Sequence, residues 1–304
     1  MEKITIINPY GTSITFEQGV SGFMLISRGD LGATQSILQT DTGYLQRGTT
    51  VTQKRYASKT LNLTLGIKAA SDTDMQSRLK RVTRLFESEY NEADDLTKFT
   101  IIFEKTGFTT KKTYGYLQIT PSFLNDNENS RGNYQRSFCS FLLPEPVWFA
   151  DTEIGENLAT KTNLFEFPLD ITTDYEFSQI SSDGVVVVNS GDIRTSLIIE
   201  FDGIATNPKI ENVTYGESLK LNTTIVDGDV VTIDTSYNNP RVEINSGGVI
   251  SNVFEYIDPE NSDLNMTLRR GNNTLLFTSD DASPAVARVY YTEKYITPFG
   301  GSDE

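Results

Sequence analysis

Two prolines one residue apart interrupt the chain near its midpoint, in Leu143-Pro144-Glu145-Pro146-Val147-Trp148-Phe149-Ala150-Asp151. Each lacks an N–H donor and fixes its own φ, so neither a helix nor an inner sheet strand runs through them. The stretch reads as a domain junction. The only Trp of the chain and a Phe follow at once, which favours a stiff junction packed against a neighbour. Charge changes here too: up to residue 150 there are 17 Lys and Arg against 15 Asp and Glu, and after it 9 against 26, together the chain's net −15. A length of 304 residues suits two domains, each with its own core. The division expected is 1–146 and 147–304.

A single cysteine, Cys139, excludes an intrachain disulfide, so the chain is not a disulfide-built scaffold. The start, Met1-Glu2-Lys3-Ile4-Thr5-Ile6-Ile7-Asn8-Pro9, has no signal-peptide core, and no run of about 20 apolar residues suggests a membrane span. The expectation is a protein made soluble in a reducing cytoplasm. A pI near 4.5 argues against nucleic acid or an anionic membrane as the partner of the second half.

The first half reads as strands around one helix. Short β-rich runs at Ile4–Ile7, Ile14–Phe16 and Phe23–Ile26 are separated by Asn-Pro and Gly-containing turns. Residues 28–56 are polar with few large apolar side chains, and are expected to form a long loop serving as an intersubunit arm. Arg28-Gly29-Asp30 within it spells a cell-adhesion tripeptide that nothing around it supports. Leu61, Leu63, Leu65 and Ile67 alternate on one face of a half-buried strand. Ser71-Asp72-Thr73-Asp74 then caps a helix expected over about 72–90. Met75, Leu79, Val82, Phe86 and Tyr90 form its apolar stripe, and Arg78, Arg81 and Arg84 lie elsewhere on its surface. These arginines suit a solvated face better than a contact with nucleic acid or a neighbour. Strands at Phe99–Glu104, Tyr114–Thr120 and Phe138–Leu143 complete a mostly-β domain.

After the junction nothing recommends a helix. Val185–Val188, Leu197–Phe201, Leu219–Ile225, Val230–Thr235, Arg241–Ile244, Met266–Leu268, Thr274–Thr278 and Ala285–Tyr291 are short strands separated by Gly, Asn and Asp. Such spacing indicates a sandwich or barrel. Leu197, Ile199 and Phe201 point inward in this reading.

The order of turns in this half resembles the C-terminal domain of the distal tail proteins of siphophages. Asp227-Gly228-Asp229 turns into Val230–Thr235; Arg241-Val242 and Gly247-Gly248 follow. Leu268-Arg269-Arg270-Gly271-Asn272-Asn273 then matches the family's Leu-x-x-Gly-x-Asn turn, with Arg270 where the family often has Pro, before a closing strand with Tyr290, Tyr291 and Tyr295. Gly228 and Gly271 suit positive φ, and Asn side chains cap turn backbones. The resemblance implies an N-terminal β-sandwich-like domain with one helix, and a C-terminal galectin-like β-sandwich. It implies a structural tail-tip protein whose N-terminal domains form a homo-hexameric ring. That hub joins the major tail tube protein to the central tail-tip hub protein and to peripheral receptor-binding or baseplate proteins. Its place is the virion tail tip, assembled in the bacterial host cytoplasm. The family brings no catalytic residues and no cofactor.

The residue inventory agrees with a non-enzyme. Without histidine, Ser-His-Asp and Cys-His arrangements and His-containing zinc sites are excluded. Cys139 sits in an apolar strand and reads as a core thiol. No nucleotide-binding glycine loop is present. Asp227-Gly228-Asp229 and Asp280-Asp281 lack the spacing of a calcium loop and read as turns. The main alternative is a lectin-like module that binds host cell-wall saccharide through exposed aromatics, with Tyr215, Tyr237 and Tyr256 as candidates. A pilus or adhesin subunit is the third class, and it calls for an export signal that this sequence does not show.

Overall fold

The computed structural model describes the chain except residues 21, 88–97, 127, 160, 164–177, 181–183, 238, 281–284 and 301–304. The chain divides into two units, Met1–Asp151 together with Tyr295–Glu304, and Thr152–Lys294. Both are built almost wholly of strands.

In the first unit the elements are β1 (Glu2–Ile7), β2 (Ser13–Glu17), β3 (Phe23–Arg28), β4 (Ser36–Asp41), β5 (Thr50–Tyr56), β6 (Lys59–Lys68), α1 (Asp72–Phe86), β7 (Lys98–Lys105), β8 (Lys111–Ile119), β9 (Ser130–Arg131), β10 (Tyr134–Leu143) and β11 (Trp148–Ala150). One large sheet runs β11-β8-β7-β1-β2-β3-β6-β10-β9, and a further pairing of β8 with β10 closes it on itself. β8 divides its edge: Lys111 and Lys112 pair with β11, and the stretch from Tyr116 to Ile119 pairs with β10. Closure removes most free edges. The β1–β2 turn is set by Asn8, whose Oδ1 accepts from the N–H groups of Tyr10 (3.1 Å) and Thr12 (2.8 Å).

Leu61, Leu63, Leu65 and Ile67 are all buried, as their period of two requires. They meet Ile4, Ile6, Phe16, Phe99, Phe103 and Phe141 in one core. Helix α1 closes over that core with Met75, Val82, Leu85 and Phe86. Its start is capped reciprocally: the Asp74 N–H donates to Ser71 Oγ (3.2 Å), and the Ala70 N–H donates to Asp74 Oδ2 (2.9 Å). The described helix ends at Phe86, and Tyr90, expected on its stripe, lies outside the described residues.

The boundary expected at 146/147 falls instead after Asp151. Val147, Trp148 and Ala150 are buried, and Trp148 packs edge-on against Phe103, ring centroids 6.1 Å apart. The Val147 carbonyl accepts from Thr113 Oγ1 (2.8 Å), so the aromatic linker belongs to the first core. The segment from Tyr295, expected in the second domain, also belongs to the first unit. The chain's last short strand, Lys294–Tyr295, lies beside β11 in the large sheet.

The second unit is a sandwich. Its larger sheet runs Ile154–Ala159, Val286–Tyr291, Ile198–Asp202, Asp229–Asp234, Arg241–Ser246, Val249–Asn252; the smaller runs Val185–Asn189, Gly271–Thr278, Lys209–Asn212, Glu217–Lys220. Ile199, Phe201, Val231, Ile233 and Val289 from the first meet Val187, Ile210, Leu219, Leu275 and Phe277 from the second in one core, joined by Leu197 just before its strand. Phe201 and Phe277 touch across the layers, with ring centroids 5.7 Å apart. The run Leu219–Ile225, expected as one strand, is broken: Glu217–Lys220 and Thr224–Ile225 belong to different sheets, with exposed Asn222 between them.

Candidate assembly surfaces

Residues 28–56 are not a loop. β4 and β5 pair antiparallel from Ser36↔Tyr56 to Asp41↔Thr50 as a separate two-stranded sheet, exposed along almost its whole length. The sequence hid this hairpin because alternation reports a buried face, and neither face here has a core beneath it. Its register slips at one place. Gln39 faces Gln53 and Thr40 faces Val51, leaving Thr52 over, with its Oγ1 donating to the Gln39 carbonyl (3.1 Å). Such a bulge re-aims the side chains beside it. Val51 thereby joins Leu38 and Tyr56 on one face, where Lys54 lies 5.8 Å from the Tyr56 ring centre, and Ile37, Gln39 and Arg55 occupy the other.

The tip is held tightly although nothing covers it. The Gly43 N–H donates to Gln46 Oε1 (2.9 Å), and Gln46 Nε2 donates to Thr50 Oγ1 (2.7 Å). Tyr44 and Leu45 are 96% and 86% exposed. Leu45 also has φ +63°, a left-handed conformation that costs an L residue about 1–2 kcal/mol. Two exposed apolar side chains on a strained turn are costly in water and suit a surface that is covered on assembly.

The helix arginines are partly tied down. Arg78 Nε donates to Asp74 Oδ1 (2.9 Å), and the guanidinium groups of Arg78 and Arg81 lie 5.7 Å and 5.4 Å from the Phe23 ring centre. Arg84 lines a shallow cleft with Asn8, Tyr10, Thr12 and Glu87.

The C-terminal segment is latched to the first unit by aromatics and cations. Phe299 packs edge-on against Phe103 and Phe108, at 5.5 Å and 5.8 Å between ring centroids. Arg28 and Lys105 lie 5.5 Å and 5.1 Å from the Phe299 ring centre. Lys111 Nζ is 3.7 Å from the centre of the Tyr295 ring. Both cations around Phe299 are oriented by Glu2. Arg28 donates to both of its oxygens (2.8 and 3.1 Å), and Lys105 Nζ is 3.2 Å from Oε1. The Arg28 hydrogen bonds, reinforced by Lys105, pull the Glu2 carboxyl down to about 2. Arg28 is thus committed to Glu2, and the tripeptide it begins is not a free adhesive loop.

In the second unit the Leu268–Asn273 turn is closed by its asparagine. Gly271 has φ +88°. Asn273 Oδ1 accepts from the Arg269 N–H (3.0 Å), and its Nδ2 donates to the carbonyls of Arg269 (2.8 Å) and Gly271 (2.9 Å). Two more buried asparagines brace it: Asn212 Nδ2 donates to Asn273 Oδ1 (3.2 Å), and Asn189 Nδ2 donates to the Leu268 carbonyl (3.0 Å). The sequence pointed to the turn but not to this support, since the two partners come from distant strands.

The three candidate tyrosines do not form one sugar platform. They sit on three separate connections, and Tyr215 is covered by Arg269, whose guanidinium lies 4.3 Å from its ring centre and is paired with Glu217 at 2.5 Å. Tyr256 is half-buried against the core, and Tyr237 is 89% exposed. Asp227-Gly228-Asp229 is a turn, with Gly228 at φ +85° and the Asp229 N–H donating to the Val226 carbonyl (3.1 Å). Asp280 accepts from Asn207 Nδ2 (2.7 Å); Asp281 lies outside the described residues. Among the described residues no group of acidic or thiol side chains is placed to hold a metal ion, and no helix is long and apolar enough to cross a membrane. Cys139 is fully buried, and burial pushes its thiol up to about 12, which keeps it protonated and unreactive.

Residues 190–295 match the family model of the siphovirus-type tail component, C-terminal domain. Among solved structures the chain is similar to the Dit (gp 19.1) protein of phage SPP1, described as a paradigm of hub adsorption apparatus in Gram-positive infecting phages. That match has 14% identity, covers 96% of this chain and 98% of that one, and has a TM-score of 0.63. It is also similar to chains of the phage p2 baseplate in its activated conformation with Ca and with Sr, each at 12% identity, 95% and 98% coverage and a TM-score of 0.48. No curated protein matches the sequence. Residues 190–295, nearly all of them in the second unit, thus match the siphovirus-type tail component C-terminal domain, and the chain as a whole is similar in fold to the SPP1 Dit protein.

Proposed function

We propose that this protein is the structural hub of a siphophage tail tip. Copies assemble through the first unit into a hexameric ring that joins the tail tube to the central tail-tip hub protein. The second units carry peripheral receptor-binding or baseplate proteins. It acts by geometry, not by catalysis, and is assembled into the virion in the host cytoplasm. The observation that carries this reading is the exposed hairpin of β4 and β5, on a chain that also holds a tail-component domain. An arm with no core of its own gains stability only when another surface covers it. The charge division fits the two roles. A near-neutral first half tolerates close packing against copies of itself, while an acidic second half repels its like and stays soluble at the periphery.

Light scattering across concentration tests this. A mass of six protomers, or of two stacked rings, is expected for the intact chain, with a fall towards one protomer when residues 36–56 are replaced by a short Gly-Ser turn. A monomeric mass at every concentration counts against the ring.

A further inference from the structure

The two sheets of the second unit's sandwich have four edge strands, and three of them are guarded. Ile154–Ala159 carries exposed Glu156 and a slip in register against its neighbour. Val185–Asn189 has its Val188 carbonyl taken by Tyr291 Oη, which donates to it at 2.9 Å. Glu217–Lys220 is covered by a later segment: the Asp263 N–H donates to the Ser218 carbonyl (2.6 Å), the Asp258 N–H donates to the Lys220 carbonyl (2.9 Å), and the Lys220 N–H donates to Ser262 Oγ (2.9 Å). Charges, bulges and covering segments keep sheet edges from pairing with other chains.

The fourth edge, Val249–Asn252, has none of these. It holds no charged residue and no proline, and it is exposed throughout, Val249 and Ile250 at 67% and 65%. The Gly247-Gly248 turn pairs Ser246 with Val249, and the Val253 N–H donates to the Val242 carbonyl (2.9 Å). Val249, Ser251 and Val253 therefore direct their backbone groups to the inner neighbour, and Ile250 and Asn252 turn theirs outward. The charge around this edge is one-sided. From Val226 to Asp263, a stretch that includes the last three strands of the larger sheet, Arg241 is the sole cation, against Asp227, Asp229, Asp234, Glu243, Glu255 and Glu260 among others. Arg241 already lies against Asp234 (3.3 Å) and Glu243 (3.8 Å).

We propose that Val249–Asn252 takes, as an added strand, an extended segment of a peripheral tail protein that bears Lys or Arg beside apolar residues. The outward backbone groups of Ile250 and Asn252 supply the hydrogen bonds, Val249 and Ile250 the apolar contact, and the surrounding carboxylates the preference for a cationic strand. A second copy is a poor occupant, because it brings the same acidic edge. The identity of the occupant rests on the hub reading, in which second units carry peripheral proteins.

A short fluorescent peptide of alternating lysine and valine is titrated into the intact protein, with light scattering on each sample. Binding is expected for this peptide and not for its glutamate–valine counterpart, and is expected to weaken as salt rises. Ile250→Pro removes an outward N–H and leaves the bonds to the inner neighbour in place, so the melting temperature is expected to hold while peptide affinity falls about tenfold. The lysine–valine peptide N-methylated throughout removes the strand's hydrogen bonds from the other side and is expected to bind no better, whether or not the proline variant folds. No binding by the lysine–valine peptide, or binding unchanged by both the proline and the methylation, overturns the added strand. Association of the unmodified protein beyond ring mass that Ile250→Pro abolishes shows a second copy on this edge and overturns the cationic occupant. A ring that binds no peptide overturns the edge alone; a monomer at every concentration that binds it leaves the edge standing and counts against the hub.

Discussion

Phe299 meets Phe103 edge to face, with ring centroids 5.5 Å apart, and so fastens the end of the described chain to strand β7 of the first unit. Phe299→Ala is expected to cost the first unit about 2 kcal/mol, through lost apolar burial and the lost aromatic pair, read as a lower denaturation midpoint. The second unit lies in sequence between two strands that neighbour each other in the large sheet. Replacing residues 153–293 by a short Gly-Ser linker should therefore leave a first unit that melts cooperatively. A chain ended at residue 146 loses Trp148, Tyr295 and Phe299 and should melt at a clearly lower temperature. Equal melting of the two would refute the latch.

Glu2 gives the first unit a pH signature. Its carboxyl is held down to about 2 by Arg28 and Lys105, against an ordinary value of 4.5. A group with a depressed folded-state pKa stabilises fully above the ordinary value, and that contribution is lost as pH falls from about 4.5 towards 2. Glu2→Gln should cost about 1.5–3 kcal/mol at neutral pH, the range for hydrogen bonds to charged groups. The difference from the parent should shrink over that acid window; a difference constant from pH 7 to 3 would show that the contact is not the source.

Asn273→Ala removes an amide that makes three hydrogen bonds within its turn and receives a fourth from Asn212. Buried donors and acceptors are left without partners, so a loss of about 2–4 kcal/mol in the second unit is expected by denaturant titration. Gly271→Ala acts through the backbone alone, because no atom lies near its missing Cβ and only its φ of +88° opposes a side chain. Its expected cost is about 1 kcal/mol or more.

Cys139 should resist maleimide in the folded protein and react at once in denaturant, with the rate following unfolding. Rapid labelling under native conditions would show that β10 opens locally.

Much of the fold was legible wherever one face of an element is buried and the other wet. Leu61 to Ile67 and Leu197 to Phe201 announced themselves because a period of two is the imprint of a core on a strand. The arm left no such imprint, since both its faces are wet, and its length and polarity suggested only a loop. Trp148 and Tyr295 were assigned to the wrong side of the junction for another reason. Their partners, Phe103 and Lys111, are fixed by tertiary packing that no local pattern encodes. The same holds for Tyr215: sequence offers an aromatic on a turn, and only the structure shows Arg269 lying over it.

The inserted second unit also sets an order of events during synthesis. Residues 152–294 leave the ribosome before Tyr295 and Phe299, and at roughly 5–20 residues per second that is a delay of many seconds. The sandwich can finish folding while the first unit still lacks the strand and the aromatic plug that complete it. A nascent first unit therefore waits for its last residues before its own sheet and core are complete, by which time the inserted unit has had time to fold.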